Sequence, residues 1–209
     1  MFNDNKIFTR HGFLLILSAP SGAGKTTIYK KMLEKYPDLE YSVSTTTRKM
    51  RNNEKNGTDY VFVSEDEFKS KIKNDDFAEW AKVHGNYYGT DKTNIEKALK
   101  KRKILIFDID VQGALQLKEI YKDNAVLVFI ITPSYNELKN RLKSRCTDSE
   151  KDIDIRLKNA RWEFSNIHKY DYVVINDEIE DAINVLETII RAESSKLSRI
   201  DEIEWKGIN

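Results

Sequence analysis

The chain has 209 residues, of which 40% are hydrophobic and 33% are charged, and its formal net charge is +1. A net charge this close to zero argues against general attraction to nucleic acid or to an acidic membrane surface. No apolar run approaches the length of a membrane-spanning helix, and the N-terminal segment lacks the apolar core of a signal peptide. The single cysteine, Cys146, excludes an internal disulfide and is typical of a reducing compartment. We therefore expect one cytoplasmic domain spanning residues 1–209.

The first predicted element is a strand over residues 14–17, followed by a loop of small residues and then by a helical pattern. The Gly-Lys-Thr ending of that loop, between a strand and a helix, is typical of a P-loop. Glycines in such a loop turn backbone N–H groups toward an anion, and the helix N-terminus adds partial positive charge. The residues predicted to bind the phosphates of a nucleoside triphosphate are Ala19, Pro20, Ser21, Gly22, Ala23, Gly24, Lys25, Thr26 and Thr27.

Ala19 departs from the P-loop pattern, because it stands where the first glycine usually lies. Alanine is small but tolerates a positive φ poorly. Within the loop, Lys25 is expected to reach the β- and γ-phosphates, and the Thr26 hydroxyl to hold Mg2+. The alternative is a glycine-rich turn that ends in Gly-Lys-Thr by chance.

Residues 41–93 interrupt the alternation of strands and helices along the chain. Ser64 and Glu67 have the spacing of a capping box and predict the start of a helix. The strands predicted in this segment cover residues 41–44, 60–63, 77–83 and 86–89. We expect a small mixed insertion attached to the main sheet.

Strands and helices alternate again after residue 93. Thr93 and Glu96 repeat the capping-box spacing. Strands are predicted at 104–110, 125–131 and 170–176, and helices at 111–120 and about 179–196. Continuous apolar strands of this kind are typical of an α/β fold whose parallel sheet is wrapped by helices.

The segment following Thr46 carries a long motif, Thr-Arg-Lys-Met-Arg-Asn-Asn-Glu-Lys-Asn-Gly-Thr-Asp-Tyr-Val-Phe, which closely resembles the signature of guanylate kinases. Glu79-Trp80 and the segments 86–89 and 108–113 are also similar to motifs of that family. Met50 and Cys146 depart from it, since family members often have Pro and Gly there.

This resemblance, which covers roughly residues 14–192, implies a P-loop nucleoside monophosphate kinase. The core would comprise residues 12–40, 94–133 and 166–196. Residues 41–93 would form the GMP-binding insertion, and residues 134–165 a helical lid. The implied reaction transfers the γ-phosphoryl group of ATP to GMP, and to dGMP, giving ADP and GDP with Mg2+ as cofactor.

The resemblance also assigns the acceptor pocket. The GMP phosphate would be bound by Arg48, Arg51, Tyr60 and Tyr88. The base would be bound by Ser44, Glu79, Thr90 and Asp110. Guanine presents two adjacent donors, N1–H and the 2-amino group, which a carboxylate such as Glu79 matches, whereas adenine presents an acceptor at N1 and would leave it badly paired.

The remaining assignments concern the donor side and the lid. The catalytic cations would be Lys25, Arg48, Arg141, Arg145 and Arg156. Asp108, at the end of a buried strand, would hold Mg2+ together with Thr26, partly through water. It has an alternative role as the N-cap of the next helix. By resemblance Asn176 would lie near the adenine of ATP, or with Asp177 it would simply form the turn before the final helix.

Two alternatives to a guanylate kinase remain at this point. A catalytically inactive guanylate-kinase-like interaction module would keep the fold, but the retained Gly22, Gly24, Lys25 and Thr26 argue against it. A kinase for another acceptor is opposed by Glu79 and by the signature. We expect ATP and GMP as partners, no nucleic acid or membrane, and either a monomer or a homodimer.

Overall fold

The computed structural model of the protein describes residues 8–83, 85–144 and 150–203. Its strands are β1 (Phe8–Arg10), β2 (Leu14–Ser18), β3 (Leu39–Tyr41), β4 (Thr45–Thr46), β5 (Val61–Phe62), β6 (Phe77–Val83), β7 (Asn86–Asp91), β8 (Ile104–Asp108), β9 (Ala125–Ile131), β10 (Tyr172–Ile175) and β11 (Ile200–Ile203). Its α-helices are α1 (Lys25–Lys35), α2 (Glu65–Lys73), α3 (Lys92–Lys100), α4 (Val111–Tyr121), α5 (Tyr135–Ser144), α6 (Glu150–Ser165) and α7 (Ile179–Ser194). Within these ranges, no helix combines the length and the apolar character that crossing a membrane requires.

Five strands form the central sheet in the order β10-β9-β2-β8-β3, and each neighbouring pair is parallel. Side chains along β2 alternate between the two faces. Leu15 and Leu17 pack with residues of α1 and α7, and Leu14 and Ile16 with residues of α3 and α4. Each fully buried leucine contributes about 1.5–3 kcal/mol to folding. The sheet is therefore covered on both faces, as the continuous apolar strands predict.

Strand β2 lies in the middle of this sheet, between β8 and β9. The loop that follows Ser18 thus emerges at the carboxyl edge, beside the end of β8 at Asp108. Ligands of open parallel sheets bind at this edge. The sheet order therefore places the P-loop next to the predicted magnesium ligand.

The insertion contains a second sheet in the order β5-β4-β7-β6. The β4–β5 pair is parallel, and the β4–β7 and β6–β7 pairs are antiparallel. Helix α2 begins as predicted, because the Ser64 hydroxyl accepts from the Glu67 N–H and the Glu67 carboxylate accepts from the Ser64 N–H. This capping box is confirmed.

Two local predictions are wrong. The strand expected at 41–44 lies at Leu39–Tyr41, because the chain leaves the main sheet after Ser42 and joins the second sheet at Thr45. The capping box expected at Thr93 does not form, because α3 already begins at Lys92. The cap position belongs to Asp91, whose carboxylate accepts from the Thr45 hydroxyl at 2.9 Å instead of from a helix N–H.

The two ends of the described chain meet, since β1 and β11 pair antiparallel. Just before β11, the guanidinium of Arg199 is 3% exposed. It donates to Glu193 Oε2 at 2.9 Å and to the carbonyl of Asp123 at 2.6 Å, and it lies 4.5 Å from the centroid of the Phe13 ring. These contacts join the segment before β11 to Phe13, Asp123 and Glu193, and removing one partner of the buried pair would leave an uncompensated charge.

Candidate active site

The P-loop is shaped by two glycines with positive φ, Gly22 at 95° and Gly24 at 90°. Residues that carry a side chain rarely adopt this backbone conformation. Ala19 is not in the left-handed region, so the alanine at this position causes no backbone strain. Helix α1 starts directly after Gly24 without a side-chain cap. The free N–H groups at the N-terminus of α1 can therefore bind an anion, as the motif predicts.

Asn176 supports the loop from behind. Its side chain is 4% exposed, and its Nδ2 donates to the carbonyl oxygen of Ala23 at 2.7 Å. A Cβ on Gly24 would collide with the same amide nitrogen. The Asn176 side chain is thus committed to the P-loop, and its contact with adenine stays a prediction.

Lys25 and Asp108 form an ion pair at the floor of the site. The Lys25 Nζ lies 2.6 Å from Asp108 Oδ1 and also donates to the carbonyl of Ile109 at 2.9 Å. The Thr26 hydroxyl lies 3.5 Å from Asp108 Oδ2. One carboxylate and one hydroxyl, with room for water, suit Mg2+, which prefers oxygen ligands and keeps several waters.

The N-cap role considered for Asp108 belongs instead to Asp110. Its Oδ1 accepts from the Gly113 N–H at 2.8 Å and so begins α4. Asp110 nevertheless lines a cavity shared by the P-loop, Lys25 and Glu79, which is called the central cavity below. Asp108 is therefore not used in capping.

The predicted phosphate-binding residues meet in a cavity of about 430 Å³. It is lined by Arg48, Arg51, Tyr60 and Tyr88 together with Thr26 and Asp108. The Arg48 guanidinium lies 5.3 Å from the centroid of the Tyr60 ring, which in turn packs edge-on against Tyr88. The signature thus brings a planar cation and two phenols into a cavity that Thr26 also lines.

Glu54 also lines this cavity, although the sequence reasoning missed it. It binds Arg48 through two hydrogen bonds, Nη2 to Oε1 at 2.7 Å and Nη1 to Oε2 at 3.0 Å, and it accepts from the Arg51 N–H at 2.8 Å. The hydrogen bond from Arg48 holds the pKa of the Glu54 carboxyl below its ordinary value. Within the signature Glu54 is one of several charged residues, and nothing in the sequence distinguishes it from the others.

The predicted base-binding residues surround a buried carboxyl group. Glu79 is 4% exposed, and its Oε1 accepts from the Thr90 hydroxyl at 2.6 Å across the β6–β7 pair. Burial raises the pKa of Glu79 to about 7, with a further contribution from the charge of Asp110, while the hydrogen bond from Thr90 acts in the opposite direction. A Cβ at Gly113 would collide with Glu79 Oε2, so a larger residue there would displace the Glu79 carboxylate. Ser44 completes the wall of this pocket.

Helices α5 and α6, which make up most of the predicted lid segment, rest against the P-loop. Leu138, Leu142 and Leu157 pack around Ala23. Arg156 Nη1 donates to the Ser21 hydroxyl at 2.7 Å. Helices α5 and α6 therefore reach the P-loop through both apolar and charged contacts.

The other lid arginines are placed differently. Arg141 donates through Nε to Glu137 at 2.7 Å and through Nη1 to the carbonyl of Asn176 at 3.0 Å. It borders a second opening beside Gly22 and Gly24, away from Glu79. Arg145 lies outside the described residues. The structure thus brings Arg156, but not Arg141, into direct contact with the P-loop.

Glu163 of α6 is a further residue that the sequence reasoning missed. It lines the central cavity with Lys25, Glu79 and Asp110. Burial raises the pKa of its carboxyl group to about 7. Its sequence neighbourhood is a charged helix, in which nothing distinguishes it from solvent-facing residues.

Comparisons with known proteins agree with this geometry. The model of the guanylate kinase family matches residues 12–193. The chain belongs to the guanylate kinase family. The guanylate kinase of Thermotoga maritima is 42% identical over 194 residues, covering 92% of this chain and 93% of the relative. That of Maricaulis maris is 48% identical over 190 residues, covering 91% and 87%.

A solved structure agrees as well. The crystal structure of guanylate kinase from Anaplasma phagocytophilum has a TM-score of 0.78 and 36% identity, covering 92% of each chain. The predicted guanylate kinase resemblance, the α/β fold of a P-loop nucleoside monophosphate kinase and the ATP:GMP kinase activity are therefore confirmed. Neither the matches nor the site favours an inactive interaction module.

Proposed function

We propose that this protein transfers the γ-phosphoryl group of ATP to GMP by holding the two nucleotides in facing halves of one cavity. The observation that supports this most strongly is a cavity of about 340 Å³ lined both by the P-loop with Lys25 and by the buried Glu79. Phosphoryl transfer depends mainly on in-line positioning and charge stabilisation, so two facing nucleotide sites are the main structural requirement.

In the donor half, the P-loop binds the phosphates of ATP. Thr26 and Asp108 would hold Mg2+, whose contribution is to neutralise charge on the β- and γ-phosphates. Lys25 is paired with Asp108 at 2.6 Å, within reach of the same phosphates. A phosphate entering the loop offers Lys25 a second anionic partner, which leaves Asp108 available to the metal.

In the acceptor half, Arg48, Arg51, Tyr60 and Tyr88 bind the GMP phosphate. Guanidinium groups match pairs of phosphate oxygens, and phenols add donors without adding charge. Arg48 donates to Glu54 and to the Lys49 carbonyl through Nη1 and Nη2, so its Nε–H and the second Nη2–H can bind the phosphate while Glu54 holds the guanidinium.

The guanine base is recognised next to this phosphate site. Ionised Glu79 accepts from N1–H and the 2-amino group, with Ser44, Thr90 and Asp110 around it. AMP is disfavoured because a buried acceptor of this kind would remain unpaired.

The chemical step needs no general base, since the attacking GMP phosphate oxygen is already an anion. Lys25 and Arg156 stabilise the negative charge that spreads over the transferred group. Arg141 and Arg145 are proposed to join them when the lid closes, which also excludes water as a competing acceptor. dGMP is proposed as a second acceptor, and the cytoplasm as the setting, where both nucleotides occur and a chain with a single cysteine stays reduced.

The test is ADP release from ATP and Mg2+ with GMP, AMP, CMP or UMP as acceptor. We expect kcat/KM for GMP to exceed that for AMP by a factor of at least about 10^4, the discrimination reached by sites that hydrogen-bond a substrate donor. Turnover of GMP at background level would overturn the activity. Equal use of AMP would overturn the base assignment while leaving the kinase intact.

A further inference from the structure

The inner face of α6 directs two polar side chains toward the active site. Arg156 and Glu163 are seven residues apart, which is close to two helical turns and places them on the same face. Arg156 donates to Ser21 of the P-loop, so this face lies against the nucleotide site. Among the described residues of the lid segment, 134–144 and 150–165, Glu163 alone lines the central cavity.

The surroundings of Glu163 define which part of a ligand it meets. Its carboxyl group lies close enough to Lys25 and to Asp110 for both charges to act on its protonation, in opposite directions. Within the described part of the chain, no side chain or backbone group donates a hydrogen bond to this carboxylate. It is half-buried, so an ionised oxygen there gains from a donor that a ligand supplies.

A carboxylate repels phosphate unless a cation is paired with it, as Arg48 is with Glu54 and Lys25 with Asp108, so Glu163 is unsuited to either phosphate site. The guanine edge is already matched by Glu79 and Asp110. Lys25 belongs to the proposed phosphate-binding residues of this cavity and Asp110 to the proposed base-binding residues, and the charges of both act on Glu163. In a nucleoside monophosphate, the ribose lies between phosphate and base, and its hydroxyl groups are donors that a carboxylate binds well.

We propose that Glu163 accepts a hydrogen bond from a ribose hydroxyl of the acceptor nucleotide, so that helix α6 of the lid recognises the sugar. This inference rests on the proposed function, because it assumes that GMP occupies the acceptor half. It assigns the lid a role in substrate selection besides charge stabilisation. A purely structural Glu163, paired with Lys25 during turnover, would not distinguish one sugar from another.

The experiment measures kcat/KM with GMP, 2′-deoxy-GMP and 3′-deoxy-GMP for the wild type, Glu163→Met and Glu163→Gln. For the wild type, removing the contacted hydroxyl is expected to lower kcat/KM about tenfold or more, since the lost hydrogen bond is to a charged group. In Glu163→Met the same removal has little effect. Glu163→Gln, whose amide oxygen still accepts, lies between the two. KM for ATP stays unchanged in all of them.

Glu119→Met is the matched control, because Glu119 is exposed on α4 and lines none of the cavities described above; it keeps the wild-type discrimination. Equal use of the three acceptors by the wild type would overturn the inference. So would an equal loss with all three acceptors in Glu163→Met and Glu163→Gln. If the wild type fails to use GMP at all, the proposed function falls instead, and the two failures are therefore distinguishable.

Discussion

The two halves of the active site bind phosphate by different means. The donor half relies on backbone, in a loop set by Gly22 and Gly24 and supported from behind by Asn176. The acceptor half relies on long side chains, and its central cation, Arg48, is paired with Glu54. A site built from backbone groups is disturbed when a substitution adds a side chain to one of its glycines. A site built from side chains is disturbed when a substitution changes the charge or the hydrogen-bonding groups of one of them. Substitutions in the two halves should therefore fail in different ways.

The largest effect is expected for Lys25→Met, which removes the cation of the donor half while keeping the length of the side chain. We expect kcat to fall by about 10^3-fold or more, the range seen when a cation at the transferred phosphoryl group is lost. GMP affinity, measured by calorimetry, should stay close to that of the wild type.

Lys31→Met serves as the control for Lys25→Met. Lys31 is on the same helix but pairs with Glu180 of α7 and lines none of the cavities described above. It should retain full activity. A nearly normal kcat in a folded Lys25→Met protein would contradict the P-loop assignment.

Arg48→Lys tests the acceptor half by keeping the charge and removing the planar fork. KM for GMP should rise about 10- to 100-fold, the value of one or two charge-assisted hydrogen bonds, with KM for ATP unchanged. Steady-state kinetics with each substrate varied in turn provide the measurement.

The control for Arg48→Lys is Arg191→Lys, in which the exposed Arg191, paired with Glu187, is altered outside the site. We expect wild-type kinetics from it. A rise in KM for ATP equal to that for GMP in Arg48→Lys would show that the two halves are not separate.

Gly24→Ala tests the backbone argument. A side chain at φ 90° is strained by about 1–3 kcal/mol, and here the new Cβ also meets Asn176. Urea denaturation should show a lower free energy of unfolding. Gly57→Ala is the comparison, because Gly57 also has a positive φ, 78°, but a Cβ there meets nothing within 4 Å. A Gly57 variant that is destabilised more than the Gly24 variant would contradict the account.

The smallest predicted effect is a pH dependence confined to the acceptor half. Burial raises the pKa of Glu79 to about 7, so the carboxyl is protonated below that pH and loses an acceptor for guanine. KM for GMP should therefore rise as pH falls, by about tenfold for each pH unit well below this pKa. KM for ATP should not follow the same curve.

Glu79→Gln separates this titration from that of GMP itself, whose phosphate has its second pKa near 6. In this variant the component near pH 7 should disappear and only the phosphate component should remain. An identical profile in wild type and variant would show that another group controls the pH response.

The sequence predicted the donor half better than the acceptor half, because the P-loop and its helix are contiguous. The capping box at Ser64 was found for the same reason, since both partners are local. The one at Thr93 was wrong because strand β7 runs to Asp91 and its turn into α3 fixes the helix start. The acceptor residues could be assigned only through the family signature, since Glu79 and Asp110 meet in one cavity and Arg48 lines another although all three are far apart in the chain.

Three features could not be obtained from the sequence. Glu54 is one of several charged residues in a polar segment, and its pairing with Arg48 depends on the fold of the turn. Glu163 lies on a charged helix and is distinguished only by the cavity it lines. The Asn176 side chain donates to Ala23, which is 153 residues away in the chain.

The central claim is that donor and acceptor are bound by separate halves of one site. Calorimetric titration of Glu79→Gln with ATP and with GMP tests it most directly. We predict that GMP affinity falls by at least about tenfold, because amide hydrogens then face guanine donors, and that ATP affinity is that of the wild type. An equal loss for both nucleotides, or unchanged GMP affinity, would contradict the division of the site.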